Sequence, residues 1–365
     1  MNTRQEEITL QPLKAGGEMS GCYLCTSKIP LTKEGILSIY TNQPELLLDL
    51  KNLVIAKGYE SSLRRGKLDL VFYDWHALQN TMDYLKTALP NKKKLAVKCS
   101  LSLITESPSD YIPFEEMYMK VMNPRLVKII QEKLFRSFLQ PIVRAEDEEV
   151  YGYEFLLRPR SQLYHFNPGE LFAFSQKAGM HAMLDGEARM NAIRTSSMML
   201  DHGLKRFINF LPSSIYDPEF CLKTTFQAVE EYQIRPEDLV FEVVETEEIE
   251  NMKHLKKILN YYRNAGVKVA LDDLGSGYST IDVMSELTPD FAKLDRELIR
   301  GCHKSKSKQK EIQTISQVAQ NIGVTLLAEG IESEEEWAFL RTKVDLGQGY
   351  YFGKPAETPL KQYVK

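Results

Sequence analysis

The sequence predicts an α/β protein in which a (β/α)8 barrel of the TIM type follows a small α/β domain. From residue 138 onward, apolar strand segments alternate with amphipathic helices, and eight strands can be placed. Polar and mostly acidic side chains stand at or near the carboxyl ends of most of these strands, where barrels of this type build their active sites. An open doubly wound sheet would alternate in the same way, but the number and spacing of the strands favour a closed barrel.

The composition argues against several broad classes of protein. Lys and Arg number 46 and Asp and Glu number 50, a formal net charge of −4, whereas proteins that bind the nucleic-acid backbone are usually basic. Five cysteines are too few and too scattered for a disulfide framework. No apolar run approaches the roughly 18 residues that suggest a membrane helix. We therefore expect a cytoplasmic protein that does not bind DNA and has no membrane span.

Residues 1–34 are polar and predict a mostly irregular N-terminal arm. The arm contains Cys22 and Cys25 at the spacing of half a zinc site, but the sequence has no second pair of this kind to complete one. Two unpaired thiols are the simpler interpretation, and the sequence assigns them no role.

Residues 35–112 predict a small α/β domain with the order βαβαβ, which implies parallel strands. Its predicted strands and helices are, in order, Gly35–Tyr40, Pro44–Lys57, Leu68–Asp74, Leu78–Leu89 and Lys94–Leu103. The block is similar to the first half of a response-regulator receiver domain, with Asp74 at the place of the phospho-acceptor. Thr41 and Asn42 stand where a receiver carries an acidic pair, which favours a degenerate regulatory or interaction module over phosphorylation at Asp74.

A segment rich in Ser and Pro, Glu106–Pro113, marks the predicted end of this domain. Arg125–Phe138 has apolar residues at helical spacing and predicts one helix that leads directly into the barrel. The barrel domain is predicted to span residues 123–365. A helix in this position could transmit a signal between the domains or serve as a passive spacer.

The barrel strands are predicted from apolar runs bounded by turn residues. They are Leu139–Val143, Tyr151–Leu157, Phe207–Leu211, Leu239–Glu245, Val267–Asp273, Phe291–Asp295, Thr325–Glu329 and Gly349–Gly353. The clearest helix between them is Ile249–Ala265, which stops at Gly266. The strand that follows it ends in two adjacent acids, Asp272 and Asp273, and each acid needs a cation or several hydrogen bonds to offset its lost hydration.

Polar residues at the strand ends predict a metal site. They are Glu154, Asn209, Glu242, Asp272, Asp273, Lys293 and Glu329, with Gln348 just before the last predicted strand. Carboxylate and amide oxygens without His or Cys suit Mg²⁺ or Mn²⁺ better than Zn²⁺, and several carboxylates suit two ions about 3.5–4 Å apart. A lysine beside them can hold a water or neutralise a phosphate. The predicted reaction class is metal-dependent hydrolysis of a phosphate ester.

Eight segments carry a resemblance to a known family. They are, in order, Gln140–Ile142, Tyr153–Arg158, Phe207–Asn209, Glu242–Glu245, Asp272–Ser279, Pro289–Asp295, Ala328–Glu332 and Gly347–Pro355. The barrel half, about residues 123–365, resembles the EAL-domain family of cyclic di-GMP-specific phosphodiesterases, and eight ordered motifs are far more specific than one. The resemblance implies an EAL-type barrel and hydrolysis of cyclic di-GMP to linear pGpG.

The resemblance also implies roles for single residues. The implied metal ligands are Glu154, Asn209, Glu242 and Asp272 for one ion, and Asp272, Asp273 and Glu329 for a second. Lys293 matches the lysine that holds the attacking water, and Glu245 matches the acid that fixes the glycine-rich loop after the Asp pair. Gly275 and Gly277 would allow the positive φ of that loop. The residues implied to lie on the substrate side are Gln140, Arg158 and Gln348.

Three positions depart from the family pattern, and none of them is a ligand. Phe155 replaces the signature Ala, and the alternation of a strand turns it away from Glu154, towards the helices. Val244 replaces a Thr, and Leu274 replaces a Phe beneath the glycine-rich loop. These changes bear on the stability of the loop and on the turnover rate, and not on metal binding.

Three functions fit the sequence to different degrees. An active phosphodiesterase is favoured, because every metal ligand and the lysine are present. The alternative is an EAL-type receptor that holds cyclic di-GMP without cleaving it and signals through protein–protein contacts. A third possibility is an interaction module that acts through its N-terminal domain. The resemblance also suggests a homodimer formed through the barrel, and a regulatory partner would act on the N-terminal domain.

Overall fold

The structure is a computed structural model, and it describes residues 28–108, 110–243, 252–275 and 281–360. Several positions named above lie outside the described residues. They are Cys22 and Cys25 in the arm, Val244 and Glu245 after a barrel strand, and Gly277 in the glycine-rich loop.

The N-terminal domain is one antiparallel sheet with helices packed against it. Its strands are β1 (Gly35–Tyr40), β2 (Ser61–Arg64), β3 (Lys67–Phe72), β4 (Lys98–Ser102) and β5 (Ile112–Pro113), and its helices are α1 (Pro44–Ala56), α2 (Trp75–Ala88) and α3 (Asn91–Lys94). The strand order is β2-β3-β1-β4-β5, and every neighbouring pair is antiparallel.

The prediction of parallel strands in this domain was wrong because β2 was not recognised. This strand has a single large apolar residue, Leu63, so it lacks the alternation that marks a half-buried strand. Arg65 and Gly66 follow with φ values of 49° and 74°, as in the tight turns that join antiparallel strands. The resulting hairpin places β3 between β1 and β2 and reverses its direction relative to β1.

Asp74, the position compared with a phospho-acceptor, caps a helix. Its carboxylate accepts a hydrogen bond of 2.8 Å from the Ala77 N–H at the start of α2. An aspartate at this position satisfies a backbone donor that would otherwise have no partner in the helix.

Two short helices, α4 (Phe114–Met122) and α5 (Pro124–Gln131), connect the sheet to the barrel. Phe114, Met117 and Val121 of α4 pack in the core of the N-terminal sheet, so that core continues beyond residue 112. The prediction of one helix over Arg125–Phe138 was wrong in its second half, because Phe135 already begins a barrel strand.

The barrel strands close on themselves, which confirms the predicted fold class. They are β6 (Phe135–Arg144), β7 (Val150–Pro159), β8 (Lys205–Phe210), β9 (Leu239–Val243), β10 (Lys268–Leu274), β11 (Phe291–Leu294), β12 (Thr325–Ala328) and β13 (Leu346–Gln348). The helices around them include α6 (Pro168–Lys177), α7 (His181–Met199), α8 (Pro218–Cys221), α9 (Lys223–Glu231), α10 (Met252–Asn264), α11 (Ile281–Leu287), α12 (Arg296–Ile299), α13 (Lys306–Ile322) and α14 (Glu334–Leu340). Within the described residues, no helix is both long and apolar enough to cross a membrane.

Strand β6 departs from a regular (β/α)8 barrel. It runs antiparallel to both of its neighbours, β7 and β13, whereas the other neighbouring pairs are parallel. Residues 145–149 join β6 to β7, and so short a connection allows antiparallel pairing but no parallel crossover. The first residues of β6 therefore lie at the same end of the barrel as the last residues of the parallel strands.

The last strand was predicted at Gly349–Gly353 but is Leu346–Gln348, so Gln348 ends it instead of preceding it. Residues after Gln348 form turns. Gly349 comes so close to Ile331 that an added Cβ would lie 2.0 Å from the Ile331 carbonyl oxygen. The apolar Tyr-Tyr-Phe run was mistaken for a strand: Phe352 packs against Trp337 and Tyr351 without strand pairing, and Tyr350 is exposed.

Strand residues alternate between the barrel interior and the surrounding helices. The interior holds a small apolar cluster, which we call the floor, made of Ile142, Phe207, Val240, Ala270, Phe291, Leu327 and Leu346. Residues of the opposite parity pack with the helices in a larger core. Phe155 lies in that larger core and is 4% exposed, which confirms that it faces the helices.

Candidate active site

A layer of polar side chains lies directly above the apolar floor, and each barrel strand supplies one of them. They are Gln140, Glu154, Asn209, Glu242, Asp272, Lys293 and Gln348 within strands, and Glu329 immediately after β12. All except Glu154 stand two residues along the chain from a floor residue, so the alternation of the strands directs them to one level. The structure thus brings together these eight residues predicted from the sequence, and we call them the polar layer.

Lys293 lies at the centre of the polar layer, surrounded by carboxylates. Its Nζ is 2.9 Å from Glu242, 3.1 Å from Asp272 and 3.8 Å from Glu154, and it also contacts Glu329. The side chain of Lys293 is 1% exposed. The ammonium therefore interacts with acids from four different strands or strand ends in a nearly dry environment.

Side-chain amides hold Glu154 from two sides. Asn209 donates from Nδ2 to one carboxylate oxygen at 2.9 Å, and Gln348 donates from Nε2 to the other at 2.6 Å. The same Gln348 amide lies 3.3 Å from the Gln140 Oε1 atom, and Gln140 donates to the Gly353 carbonyl at 3.2 Å. This network joins residues of the first two barrel strands to residues near the C-terminus of the barrel domain, and it fixes the orientation of Glu154.

The charges of the polar layer shift several pKa values. Burial raises the pKa of Glu242 and of Glu329 well above the usual carboxyl range, and the nearby ammonium offsets this only in part. For Glu154, burial is outweighed by Lys293 and the two amides, and its pKa is lowered. The pKa of Lys293 is raised, because the surrounding carboxylates outweigh the effect of its own burial.

A β-bulge brings the two adjacent acids to the same side of the sheet. The register of β10 against β11 shifts between Leu271 and Leu274, and Asp273 has a left-handed φ of 55°, which is uncommon for a residue other than glycine. Carboxylate oxygens of Asp272, Asp273 and Glu329 lie within 4.8 Å of one another. Burial, followed by the Asp272 charge, raises the pKa of Asp273 to about 7.

The start of the glycine-rich loop follows the bulge. Gly275 has a φ of 99°, as predicted for this turn, and an added Cβ would lie 2.9 Å from a methyl group of Leu298. Leu274 is fully buried in the larger core. Glu245, which was expected to fix this loop, lies outside the described residues, so its position stays a prediction.

The polar layer, together with Asp273, fits divalent cations. Among the described residues of this site, five carboxylates share one ammonium: they are Glu154, Glu242, Asp272, Asp273 and Glu329. Glu242 is fully buried, and although it forms an ion pair with Lys293, neither of its oxygens has a hydrogen-bond partner. A buried carboxylate without donors is unfavourable unless a cation compensates it. Oxygen donors without His or Cys are the ligands of Mg²⁺ and Mn²⁺.

Further residues extend from the polar layer towards the open end of the barrel. Arg158 lies four residues after Glu154 on the same face of β7 and donates to the Leu157 carbonyl at 2.8 Å. A pocket of about 570 Å³ at this end is lined by residues that include Arg136, Phe138 and Arg158. Arg136 and Phe138 were not predicted from the sequence, because the start of the first barrel strand was placed at Leu139. Alternation from Gln140 along a longer strand would have found both.

The fold and the site together define a closed α/β barrel with a carboxylate-rich site at the carboxyl ends of its strands. The family model described as "EAL domain" matches residues 124–355, which is more than half of the chain. The protein therefore belongs to the EAL domain family.

Curated relatives carry names from cyclic di-GMP signalling. The chain is 28% identical over 229 residues to the "Probable cyclic di-GMP phosphodiesterase PdeG" of Escherichia coli strain K12; the match covers 60% of this chain and 44% of that protein. It is 27% identical over 277 residues to "Cyclic di-GMP phosphodiesterase PdeF" of the same strain, with 72% of this chain and 36% of that protein covered. The chain thus spans less than half the length of these two relatives.

Solved structures show the same barrel. A standalone versatile EAL protein of Vibrio cholerae O395, in a form bound to c-di-GMP, is 33% identical with a TM-score of 0.57; the match covers 62% of this chain and 95% of that chain. The YkuI protein of Bacillus subtilis, solved with c-di-GMP and calcium, is 26% identical with a TM-score of 0.57, and the match covers 66% of this chain and 60% of that chain.

One structural neighbour also matches the N-terminal domain. BlrP1 of Klebsiella pneumoniae is 21% identical with a TM-score of 0.56, and the match covers 88% of this chain and 96% of that chain. That share of this chain is larger than the barrel can supply, so the alignment extends into the N-terminal domain. At this identity the likeness concerns the fold alone.

Proposed function

We propose that this protein hydrolyses cyclic di-GMP to linear pGpG and uses two Mg²⁺ or Mn²⁺ ions. The observation that carries the proposal is the polar layer with Lys293 at its centre, because together with Asp273 it contains every described residue that the family resemblance assigns to metal binding and to the attacking water. The names of the relatives support the substrate: PdeF is named a cyclic di-GMP phosphodiesterase, and the V. cholerae protein was solved with c-di-GMP.

Six residues would supply oxygen ligands to the two ions, with Asp272 shared between them. The first ion would take Glu154, Asn209, Glu242 and Asp272, and the second would take Asp272, Asp273 and Glu329. A half turn of the Asn209 amide presents its oxygen instead of its nitrogen. Bound divalent ions lower the pKa of water and neutralise charge on a phosphoryl group. The calcium present with c-di-GMP in YkuI is consistent with such a site.

Lys293 and Gln348 are suited to position the attacking water. Lys293 offers ammonium protons at the centre of the layer, where they can donate to the water or to a phosphoryl oxygen. Gln348 uses its Nε2 for Glu154, and its Oε1 is buried without a hydrogen-bond partner. A water donating to this oxygen would satisfy it.

Three residues would contact the substrate from the rim of the layer, namely Gln140, Arg158 and Gln348. Gln140 and Gln348 already contact each other, so the substrate would meet a fixed amide surface. Arg158 would place a positive charge near a phosphodiester. Glu245 would act by fixing the glycine-rich loop and not by contacting the reacting atoms.

The test is incubation of the purified full chain with cyclic di-GMP and MnCl₂ or MgCl₂, with pGpG separated by chromatography. We expect turnover in the parent protein and its loss in Glu154→Gln and Lys293→Met. Glu149→Gln is the matched control, because Glu149 lies just before β7, at the opposite end of the barrel, and is exposed. Absence of pGpG from the parent under both metals would contradict the proposed activity.

The alternative, an EAL-type cyclic di-GMP receptor that signals through protein–protein contacts, is an outcome of the same test. Binding of cyclic di-GMP without release of pGpG would favour it. One relative, BluF of E. coli strain K12, is 25% identical over 216 residues and is named an antirepressor, which makes the distinction worth measuring. Absence of both binding and turnover would leave the interaction module.

We also propose a domain organisation, an oligomeric state and a location for this protein. Residues 35–112 would form the core of a regulatory or interaction domain with its own partner, and residues 123–365 would form the phosphodiesterase barrel. The barrel would mediate a homodimer, and the protein would act in the cytoplasm. The mass of the full chain in solution, measured by light scattering, tests the dimer directly.

A further inference from the structure

The open end of the barrel carries two arginines directly opposite each other on neighbouring strands. Arg136 of β6 pairs in register with Arg158 of β7, four residues beyond the pair Gln140 and Glu154 in the polar layer. At about 3.3 Å per residue, the arginine backbones lie about 13 Å from that pair along the strands. Like charges at opposed positions of an antiparallel pair destabilise it, so this site favours an anion.

In this structure a carboxylate of the same chain forms an ion pair with Arg136. The Nη2 atom of Arg136 lies 2.7 Å from the Glu357 carboxylate. The bridge between Leu139 and Ala356, with hydrogen bonds of 2.7 and 3.0 Å, holds the preceding residue against β6. The position of the Glu357 backbone is thus fixed by pairing, and its side chain reaches the rim of the site.

The ion pair between Arg136 and Glu357 can be exchanged at low cost. The two side chains are 39% and 57% exposed, and ion pairs between exposed groups contribute only about 0–1 kcal/mol. The Nε atom of Arg136 is nevertheless buried and has no hydrogen-bond partner. The guanidinium therefore keeps a donor that Glu357 does not satisfy, and a phosphate with several acceptor oxygens could satisfy it.

The surroundings of Arg136 have room for part of a nucleotide. The guanidinium lies 5.0 Å from the centre of the Phe138 ring, and both residues line the pocket of about 570 Å³ together with Arg158. A cyclic dinucleotide has two phosphodiesters on one ring. When one of them is at the polar layer, the other is directed away from it, and the interior-facing residues of β6 and β7 continue in that direction.

We propose that Arg136 binds the phosphodiester that is not cleaved, and that Glu357 competes for Arg136 in the free protein. The inference rests on the proposed function, since it assigns a further substrate contact and a competing group at the same site. Substrate binding then breaks the ion pair between Arg136 and Glu357 and replaces one anion on the guanidinium by another. The C-terminal segment thereby lowers the affinity for substrate without touching the polar layer.

The test is calorimetric titration of the full chain with cyclic di-GMP in CaCl₂, followed by kinetics in MnCl₂. We expect Glu357→Gln to tighten binding several-fold and Arg136→Gln to weaken it about tenfold or more, as for loss of a hydrogen bond to a charged group. The changes should appear in KM, with kcat at saturation unaltered. In the Arg136→Gln background, Glu357→Gln should have no further effect, because the group it competes for is gone.

A matched pair on the same two strands provides the control. Arg144 and Glu149 form an exposed ion pair of 2.6 Å at the other end of β6 and β7, so Arg144→Gln and Glu149→Gln should bind like the parent. Equal affinity of the parent and Glu357→Gln, or additive effects in the double variant, would overturn the inference while the proposed function stands. A parent protein that neither binds nor cleaves cyclic di-GMP would overturn both.

Discussion

The Lys293 ammonium lies 2.9 Å from the carboxylate of Glu242, and both side chains are almost completely buried. The ammonium is the central cation of a layer of acids, and besides this ion pair the structure records no hydrogen-bond donor to the oxygens of Glu242. Removal of Lys293 therefore leaves several buried acids without their cation, which is far more costly than loss of a surface ion pair.

Replacement of Lys293 tests this relationship. We expect Lys293→Met to abolish pGpG formation, because a preorganised donor at the reacting centre contributes about 10²- to 10³-fold in rate. In the metal-free protein the free energy of unfolding should fall by about 3–5 kcal/mol, since the surrounding acids lose their cation. Urea unfolding measures this change. Unaltered stability in the metal-free variant would contradict the role of Lys293 as the central counter-ion.

Added divalent cations should stabilise the protein. Ligand binding to the folded state alone contributes about 2.7 kcal/mol when its concentration is 100 times its Kd, so Mn²⁺ or Mg²⁺ should raise the Tm of EDTA-treated protein. Glu242→Gln should respond much less, because it removes one carboxylate from the layer. An equal rise in Tm for the parent and for Glu242→Gln would place the stabilising ion elsewhere on the protein.

Asp238 should make stability depend on pH at a point remote from the site. Burial acts against its charge but is outweighed by the Gly203 N–H at 2.8 Å and by Lys205 and Arg206, so its pKa is lowered. A lowered pKa in the folded state means that the stabilisation is present above about pH 4, the ordinary aspartate value, and is lost as the pH falls through the folded-state pKa.

Asp238→Asn should accordingly lower the free energy of unfolding by about 3 kcal/mol at pH 7, and the gap to the parent should narrow as the pH falls below about 4. Urea titrations at a series of pH values measure the gap. Asp147→Asn is the control, because Asp147 forms an exposed ion pair with Arg144. If the difference in free energy of unfolding between the parent and Asp238→Asn stayed constant to the lowest pH measured, the role of Asp238 would rest on hydrogen-bond geometry and not on its charge.

Gly179 lies where the barrel contacts α4 of the N-terminal domain. Its φ is 60°, and the carboxylate of Glu116, on α4, lies 2.1 Å from the place of an added Cβ. Gly179→Ala should destabilise the protein by about 1–3 kcal/mol, because alanine disfavours this φ, and should displace the flexible end of the Glu116 side chain. Gly323→Ala is the matched control, because Gly323 also has a positive φ but has nothing within 4 Å of the added atom. Equal losses of unfolding free energy in Gly179→Ala and Gly323→Ala would mean that backbone strain alone, and not the contact with Glu116, explains the effect of Gly179→Ala.

The residues of the polar layer could be predicted from the sequence because they follow a simple rule. Apart from Gln140, which the family resemblance supplied, and Gln348, which was placed just before the last predicted strand, each was predicted at or near the carboxyl end of an apolar strand, and barrel closure directs such ends to one place. Asp272 and Asp273 were found in this way, although the bulge and the left-handed φ that bring both into the site depend on pairing with β11. A pattern of period 2 by itself would place adjacent acids on opposite faces.

Strand direction was the part of the fold that the apolar periodicity of the sequence could not predict. The sheet of the N-terminal domain became antiparallel through β2, a strand with little apolar alternation. Strand β6 runs against its neighbours because the connection to β7 is short. In both cases a turn of a few residues decides the direction of a whole strand, and turn residues carry a weaker signal than apolar periodicity.

What the sequence by itself determined is the barrel and the set of oxygen-bearing side chains, with a single lysine, near its strand ends, because these depend on strand periodicity and residue chemistry. Only the tertiary structure decided that Lys293 lies at the centre of the acids, that Arg136 faces Arg158, and that Glu357 reaches across to Arg136. Residues 136 and 357 are far apart in the chain. Their contact exists only once β6 has reversed its direction and the C-terminal segment has paired beside it at Ala356.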